Sequence, residues 1–131
     1  MKKLPLLNRE ISRAIAGLGH GDLLVLADAG HPIPRDADRI DIALRPGMPS
    51  IVDVLEAVLT EMRAEAYIVC RALRDQSPGL LVEYERLLPG IPRIEVEYPE
   101  FRRLVDGAKT VVRTGECSAQ ANVILRATGT V

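Results

Sequence analysis

Residues 22–27 read D-L-L-V-L-A. Five apolar residues in a row do not alternate as the half-exposed strand of an open sheet would. They fit a strand buried on both faces, which requires cover on each side. Asp28 ends the run. Ala29-Gly30-His31-Pro32-Ile33-Pro34 follows, a loop kept short of freedom by Gly30 and two prolines. Before the strand, Asn8 is a good N-cap for a helix over 8–18, with Ile11, Ala14, Ile15 and Leu18 forming one apolar stripe and Gly19 expected to end it. His20 and Gly21 are left to bridge helix and strand.

Beyond the loop the same alternation continues. Residues 39–44 (R-I-D-I-A-L) read as a strand and residues 45–49 as a turn. Ser50 and Asp53 have capping-box spacing ahead of a helix whose apolar face is Ile51, Val54, Leu55, Val58, Leu59 and Met62. Residues 66–70 (A-Y-I-V-C) form another buried strand. Ser77-Pro78 opens a helix with an N-cap serine and proline in its first turn. Residues 93–98 (R-I-E-V-E-Y) alternate as a half-exposed strand, and Pro99 starts a short helix to about Asp106. Residues 109–113 and 121–126 are the last strands, joined by the loop 114–120. Helix and strand patterns in alternation predict an α/β fold with helices covering a largely buried sheet. Ligands of such sheets tend to sit on loops at strand ends.

At 131 residues the chain has the size of one domain. A net charge of −1 argues against a nucleic-acid surface driven by bulk charge. One Phe, three Tyr and no Trp leave too few rings for a base-stacking platform. Two His exclude zinc sites built from several imidazoles. Cys70 and Cys117 make no C-x-x-C motif and read as reduced thiols. Pro5, Asn8, Arg9 and Glu10 interrupt any apolar segment after Lys2 and Lys3, and no run approaches a membrane span. The expectation is a cytoplasmic protein that engages neither membrane nor nucleic acid.

Two residues stand out for chemistry. His20, between Gly19 and Gly21, can project into a cleft and exchange protons near neutral pH, or it can simply cap the end of the helix before it. Asp28 can orient an imidazole, accept bonds from ligand hydroxyls, or initiate a turn through its own backbone. His31 either lines the same pocket or faces solvent. Asp36, Asp38 and Asp41 lack the pattern of a calcium loop and read as a solvated acidic loop. Cys117 reads as structural. Gly17-x-Gly19 precedes a strand and lacks the third glycine of a dinucleotide loop.

These residues carry a likeness. L-G-H-G-D at 18–22 with D-A-G-H-P-I-P at 28–34, R-I-D-x-A-L at 39–44 with G-x-P-S at 47–50, and R-T-G-E-C-S at 113–118 with A-N-V-I-L at 121–125 resemble the D-ribose pyranase / L-fucose mutarotase family, closer to the pyranase branch. The blocks span essentially the whole chain in the family's order. The resemblance implies a three-layer α/β domain with helices on both faces of a mainly parallel or mixed sheet. It implies a cofactor-independent isomerase that interconverts pyranose and furanose forms, or anomers, of a free monosaccharide such as D-ribose. It implies a ring-like homo-oligomer, commonly a decamer of stacked pentamers, with sites near subunit contacts. His20 would be the general acid, and Asp28 and Asn122 would bind sugar. The chain departs from the pattern at Gln120, where the family usually has Tyr, and at Tyr98, where it tends to have His; both are expected to hold sugar here. Two other readings stand beside this one: a non-catalytic sugar-binding oligomer, and a mutarotase for another sugar such as L-fucose.

Overall fold

The computed structural model describes residues 1–129. The elements run α1 Arg9–Ala16, β1 Leu23–Ala27, β2 Arg39–Asp41, α2 Ile51–Leu59, β3 Ala64–Cys70, α3 Leu73–Gln76, α4 Pro78–Leu87, β4 Arg93–Val96, α5 Tyr98–Asp106, β5 Thr110–Arg113 and β6 Val123–Ala127. Six strands form one sheet in the order β2-β5-β1-β6-β3-β4. β1, β2 and β5 pair in parallel, as do β3 and β4, while β6 is antiparallel to both β1 and β3. The sheet is therefore mixed: β1 to β5 point one way and β6 runs against them.

Alternation along the strands builds two cores. Leu24, Leu26, Tyr67, Val69, Val112, Val123 and Leu125 point to one face, where α1, α2, α3 and α4 add Ile11, Leu55, Leu73 and Tyr84. Val25, Ala27, Ile68, Cys70, Val111 and Ile124 point to the other, covered by Phe101 and Val105 of α5 and by Ile33 of the proline loop. This is the expected three-layer α/β arrangement, and Leu24 to Ala27 are fully buried as the apolar run requires. Among the described residues no helix is long and apolar enough to cross a membrane.

The caps at Asn8 and Ser50 form as expected. Asn8 Oδ1 accepts the Ile11 N–H at 2.9 Å and Ser50 Oγ the Asp53 N–H at 3.1 Å. Other boundaries differ from the sequence reading. α1 closes at Gly17, two residues before the expected Gly19. The R-I-D-I-A-L strand stops at Asp41, whose Oδ1 takes the Ala43 N–H at 3.1 Å; that side-chain turn lifts the chain off the sheet and leaves Leu44 exposed. Ser77 does not cap α4, because its hydroxyl donates to the Ala119 carbonyl at 2.6 Å. The R-I-E-V-E-Y strand stops at Val96, since Pro99 seeds α5 and Tyr98 becomes its first residue. The short α3 carries no cap or periodicity that marks it in the sequence; buried Leu73 holds it to the core.

Two buried polar side chains lie where the fold is tightest. Tyr84 is fully buried and its hydroxyl donates to the Ala121 carbonyl. Tyr84→Phe leaves that carbonyl without this donor, so urea denaturation should show a loss of about 1–2 kcal/mol with an unchanged m-value. His31 is 8% exposed and packs edge-on against Phe101, ring centroids 6.0 Å apart. Burial holds its pKa below the usual 6.5; Asp28 and Asp106 oppose that shift and Arg102 adds to it.

Below pH 6.5 the unfolded chain protonates His31 while the folded chain resists, so this residue removes stability as pH falls through that value. His31→Leu should therefore lose less stability than wild type between about pH 7.5 and pH 5.5 in denaturant titrations. Equal losses in the two proteins would contradict this.

Candidate functional site

β1 carries candidate residues at both of its ends, and they face opposite edges of the sheet. At its C-terminal end lies Asp28, beside Asn122 at the entry to β6. The Asp28 N–H donates to Asn122 Oδ1 at 2.7 Å. Asn122 is 4% exposed, and this bond orients its amide so that Nδ2 remains as the donor. Asp28 Oδ1 accepts the Gly30 N–H at 3.0 Å, which is the turn-initiating role. The other carboxylate oxygen has no hydrogen-bond partner among the described residues.

The loop after Asp28 is pinned from below. The Ala29 N–H donates to the Glu116 carbonyl at 2.8 Å, and Arg113 Nε donates to the Ala29 carbonyl at 2.9 Å. Glu116 in turn accepts the Ile51 N–H at the start of α2 at 3.0 Å and the Ser118 hydroxyl at 2.7 Å. Thr114 donates its hydroxyl to the Ala27 carbonyl at 2.8 Å. At Gly115 a Cβ would lie 2.3 Å from the Met48 carbonyl oxygen, so glycine is needed for the 45–48 turn to pack here.

Gln120 and Tyr98 belong to the same edge. Gln120 is half-buried with φ of 57°, a left-handed backbone held by the bonds to the Ala119 and Ala121 carbonyls on either side. Tyr98 is 42% exposed at the start of α5, one turn before Phe101, which packs on His31. A cavity of about 190 Å³ opens beside the Asp28 loop, lined by Ala29, Leu44, Arg45, Arg113 and Cys117 among others. That end of the sheet thus carries a carboxylate, two amides and a phenol, with Tyr98, just past β4, three strands from Asp28 in the sheet order.

His20 lies at the other edge. Its turn is fastened to the end of β6, with the Gly21 N–H donating to the Ala127 carbonyl and the Ala127 N–H to the Asp22 carbonyl, both at 2.9 Å. The Gly129 N–H donates to His20 Nδ1 at 2.8 Å. Glu65 Oε2 stands 3.9 Å from the same nitrogen, while Glu65 Oε1 pairs with Arg126 at 3.1 Å. The His20 side chain is 68% exposed.

The five residues of β1 separate His20 from Asp28 by about 17 Å at the usual rise of a strand. Asp28 therefore does not orient His20. Their closeness in sequence hides this, because an extended strand carries its two ends furthest apart. Glu65, Arg126 and Gly129, which do surround His20, come from β3, β6 and the tail; no local motif marks them. His31, open to either reading in the sequence, is buried beneath the Asp28 loop. Asp38 and Asp41 are tied to Arg13 and Arg113.

Comparison with known proteins supports a kinship over the full length. The family model described as the RbsD / FucU transport protein family matches residues 1–130. A D-ribose pyranase from Symbiobacterium thermophilum is 47% identical over 127 residues, 97% of each chain. The structure of Bacillus subtilis RbsD complexed with D-ribose superposes with a TM-score of 0.95 at 34% identity, covering 100% of both chains. The fucose mutarotase of Streptococcus pneumoniae in complex with L-fucose shares the fold, with a TM-score of 0.85 at 24% identity and 100% of both chains covered. By sequence and by fold, this chain belongs to the RbsD / FucU family.

Proposed function

We propose that this chain is a cofactor-independent monosaccharide pyranase that interconverts pyranose and furanose forms of D-ribose or a closely related sugar. The observation that carries this reading is the Asp28–Asn122 pair. One main-chain N–H turns the Asn122 amide so that a carboxylate oxygen and an amide donor remain at the end of the sheet that Tyr98 and Gln120 also occupy. In the reaction, the anomeric hydroxyl loses its proton, the bond between C1 and the ring oxygen breaks, and that oxygen gains a proton. Another hydroxyl of the resulting open-chain aldehyde then attacks C1 and closes the other ring. His20 is assigned the acid role at the ring oxygen, and Asp28, Tyr98, Gln120 and Asn122 the sugar hydroxyls.

The separation of His20 from Asp28 exceeds what one monosaccharide bridges. The reading therefore includes a homo-oligomer, ring-like, in which His20 of one copy meets the Asp28 edge of another. Exposed Leu44 and Met48, on the loop beside that edge, support a subunit contact there. Cytoplasmic residence is part of the proposal; the free thiols Cys70 and Cys117 suit a reducing compartment.

Exchange NMR on D-ribose and L-fucose tests the activity. Wild type should accelerate ring exchange of ribose more than of fucose, and His20→Ala should lower that rate by about 100-fold or more. No acceleration of either sugar would end the proposal. Subunit mixing tests the shared site. His20→Ala and Asp28→Asn, each inactive alone, should recover about a quarter of wild-type activity when co-refolded in equal amounts, since half the copies supply each partner. No recovery in mixed oligomers would show that each site belongs to one chain.

A further inference from the structure

His20 is an exposed side chain in a tight turn, so something besides burial must decide which way its ring faces and which nitrogen carries the proton. Gly129 meets both needs. Its N–H donates to His20 Nδ1 at 2.8 Å. Its backbone also lies close to the ring: a Cβ at position 129 would stand 2.9 Å from His20 Cβ and Nδ1 and 3.0 Å from Cγ. Contacts that close have no room for any side chain, so the amide reaches Nδ1 because the residue is glycine.

The bond exists only while Nδ1 carries no proton. Donation by Gly129 therefore selects the neutral tautomer with its hydrogen on Nε2, and full protonation would set one N–H against another. Glu65, the carboxylate closest to the ring, stands 3.9 Å from the same nitrogen and is already paired with Arg126. It is not the group that orients the imidazole. The tail that supplies Gly129 leaves β6 just past Ala127, whose backbone is bonded on both sides to the 19–22 turn. Ring and tail are thus held to one another by the same strand end.

We propose that Gly129 is a positioning residue for His20, its main-chain N–H holding the imidazole in the tautomer that presents Nε2–H to the sugar's ring oxygen. This rests on His20 being the acid assigned above. It also gives that acid a definite form: a neutral imidazole whose Nε2–H hydrogen-bonds the ring oxygen as the C1–O bond breaks, while the proton that oxygen gains is supplied by water, which takes up the one released by the anomeric hydroxyl, so His20 keeps its own proton throughout.

Two measurements test it on the full chain. Long-range proton–nitrogen correlation spectra of the uniformly labelled protein should show an unprotonated Nδ1, a protonated Nε2, and a scalar coupling between the Gly129 amide nitrogen and His20 Nδ1. This readout needs no activity, so it stands whether or not the protein turns over ribose. A protonated Nδ1, or the absence of that coupling, overturns the proposal. In the second, Gly129→Ala should lose the coupling and lower kcat for ribose ring exchange by about 10- to 100-fold with KM changed less than about threefold. A folded Gly129→Ala protein with wild-type kcat overturns the proposal even where His20→Ala is inactive. If that variant fails to fold, the wild-type spectrum decides alone. If wild type itself accelerates no sugar exchange, the functional reading fails and the tautomer result still reports on the Gly129 contact.

Discussion

Strand β6 enters the sheet between β1 and β3 against the direction of both, and much of the molecule's functional geometry follows from that reversal. A parallel strand here would need a crossover and would bring its C-terminal end to the Asp28 edge. Because β6 runs the other way, its first residues arrive beside Asp28 and its last leave beside His20. Asn122 thus meets the Asp28 N–H at one edge, and Gly129 meets His20 Nδ1 at the other. One strand, buried along Val123 to Leu125, positions polar groups at both ends. The same length of strand keeps those two sets of groups apart.

The loops around Asp28 show how a polar edge stays ordered over an apolar sheet. Backbone groups freed where β1 ends, the Ala27 and Ala29 carbonyls and the Asp28 N–H, are taken up by Thr114, Arg113 and Asn122. Glu116 serves several purposes at once. Its carboxylate takes an N–H at the start of α2 and the Ser118 hydroxyl, and its own carbonyl takes the Ala29 N–H. A charge near a helix N-terminus is stabilised by the local dipole, so the same contact that caps α2 also braces the loop carrying Asp28. The result is a candidate binding edge whose polar groups are fixed before any ligand arrives, which lowers the ordering cost of binding.

The parts of this design that depend on local patterns were readable from residues alone. D-L-L-V-L-A is a buried strand because no polar side chain interrupts it, and Asn8 and Ser50 cap their helices because each can reach a free N–H three residues on. Asp28 shows the limit. Turn initiation was one of the readings open to it, but its relation to His20 depended on which way an intervening strand extends. Tyr98 fell on the wrong side of a boundary, since alternation through 93–98 competed with the helix-starting Pro99 and the proline prevailed. His31 could not be placed, because burial of a loop imidazole depends on α5, whose Phe101 is seventy residues further along the chain. Strand order and the reversal of β6 lay outside what periodicity encodes, and the family likeness was what tied Asn122 to Asp28 before the sheet did.

The scarcity of aromatic residues acquires a meaning once they are placed. Tyr67, Tyr84 and Phe101 are 2%, 0% and 1% exposed, committed to the two cores. Tyr98, at 42%, is the one aromatic side chain of the four that stands open to solvent. Sugars present apolar C–H faces as well as hydroxyls, and an aromatic ring with a polar tip meets both. In the proposed reading that task falls to Tyr98, because Gln120 would contribute hydrogen-bonding capacity without a ring and the other rings are spent on packing. Tyr98 sits on the first turn of α5 instead of on the extended strand, so its position follows from how that helix docks on β3. Phe101 and Val105 fix the docking from the core side, and Phe101 also bears on His31 below the Asp28 loop. Packing of one short helix therefore sets the distance between the single available ring and the carboxylate it would share a sugar with.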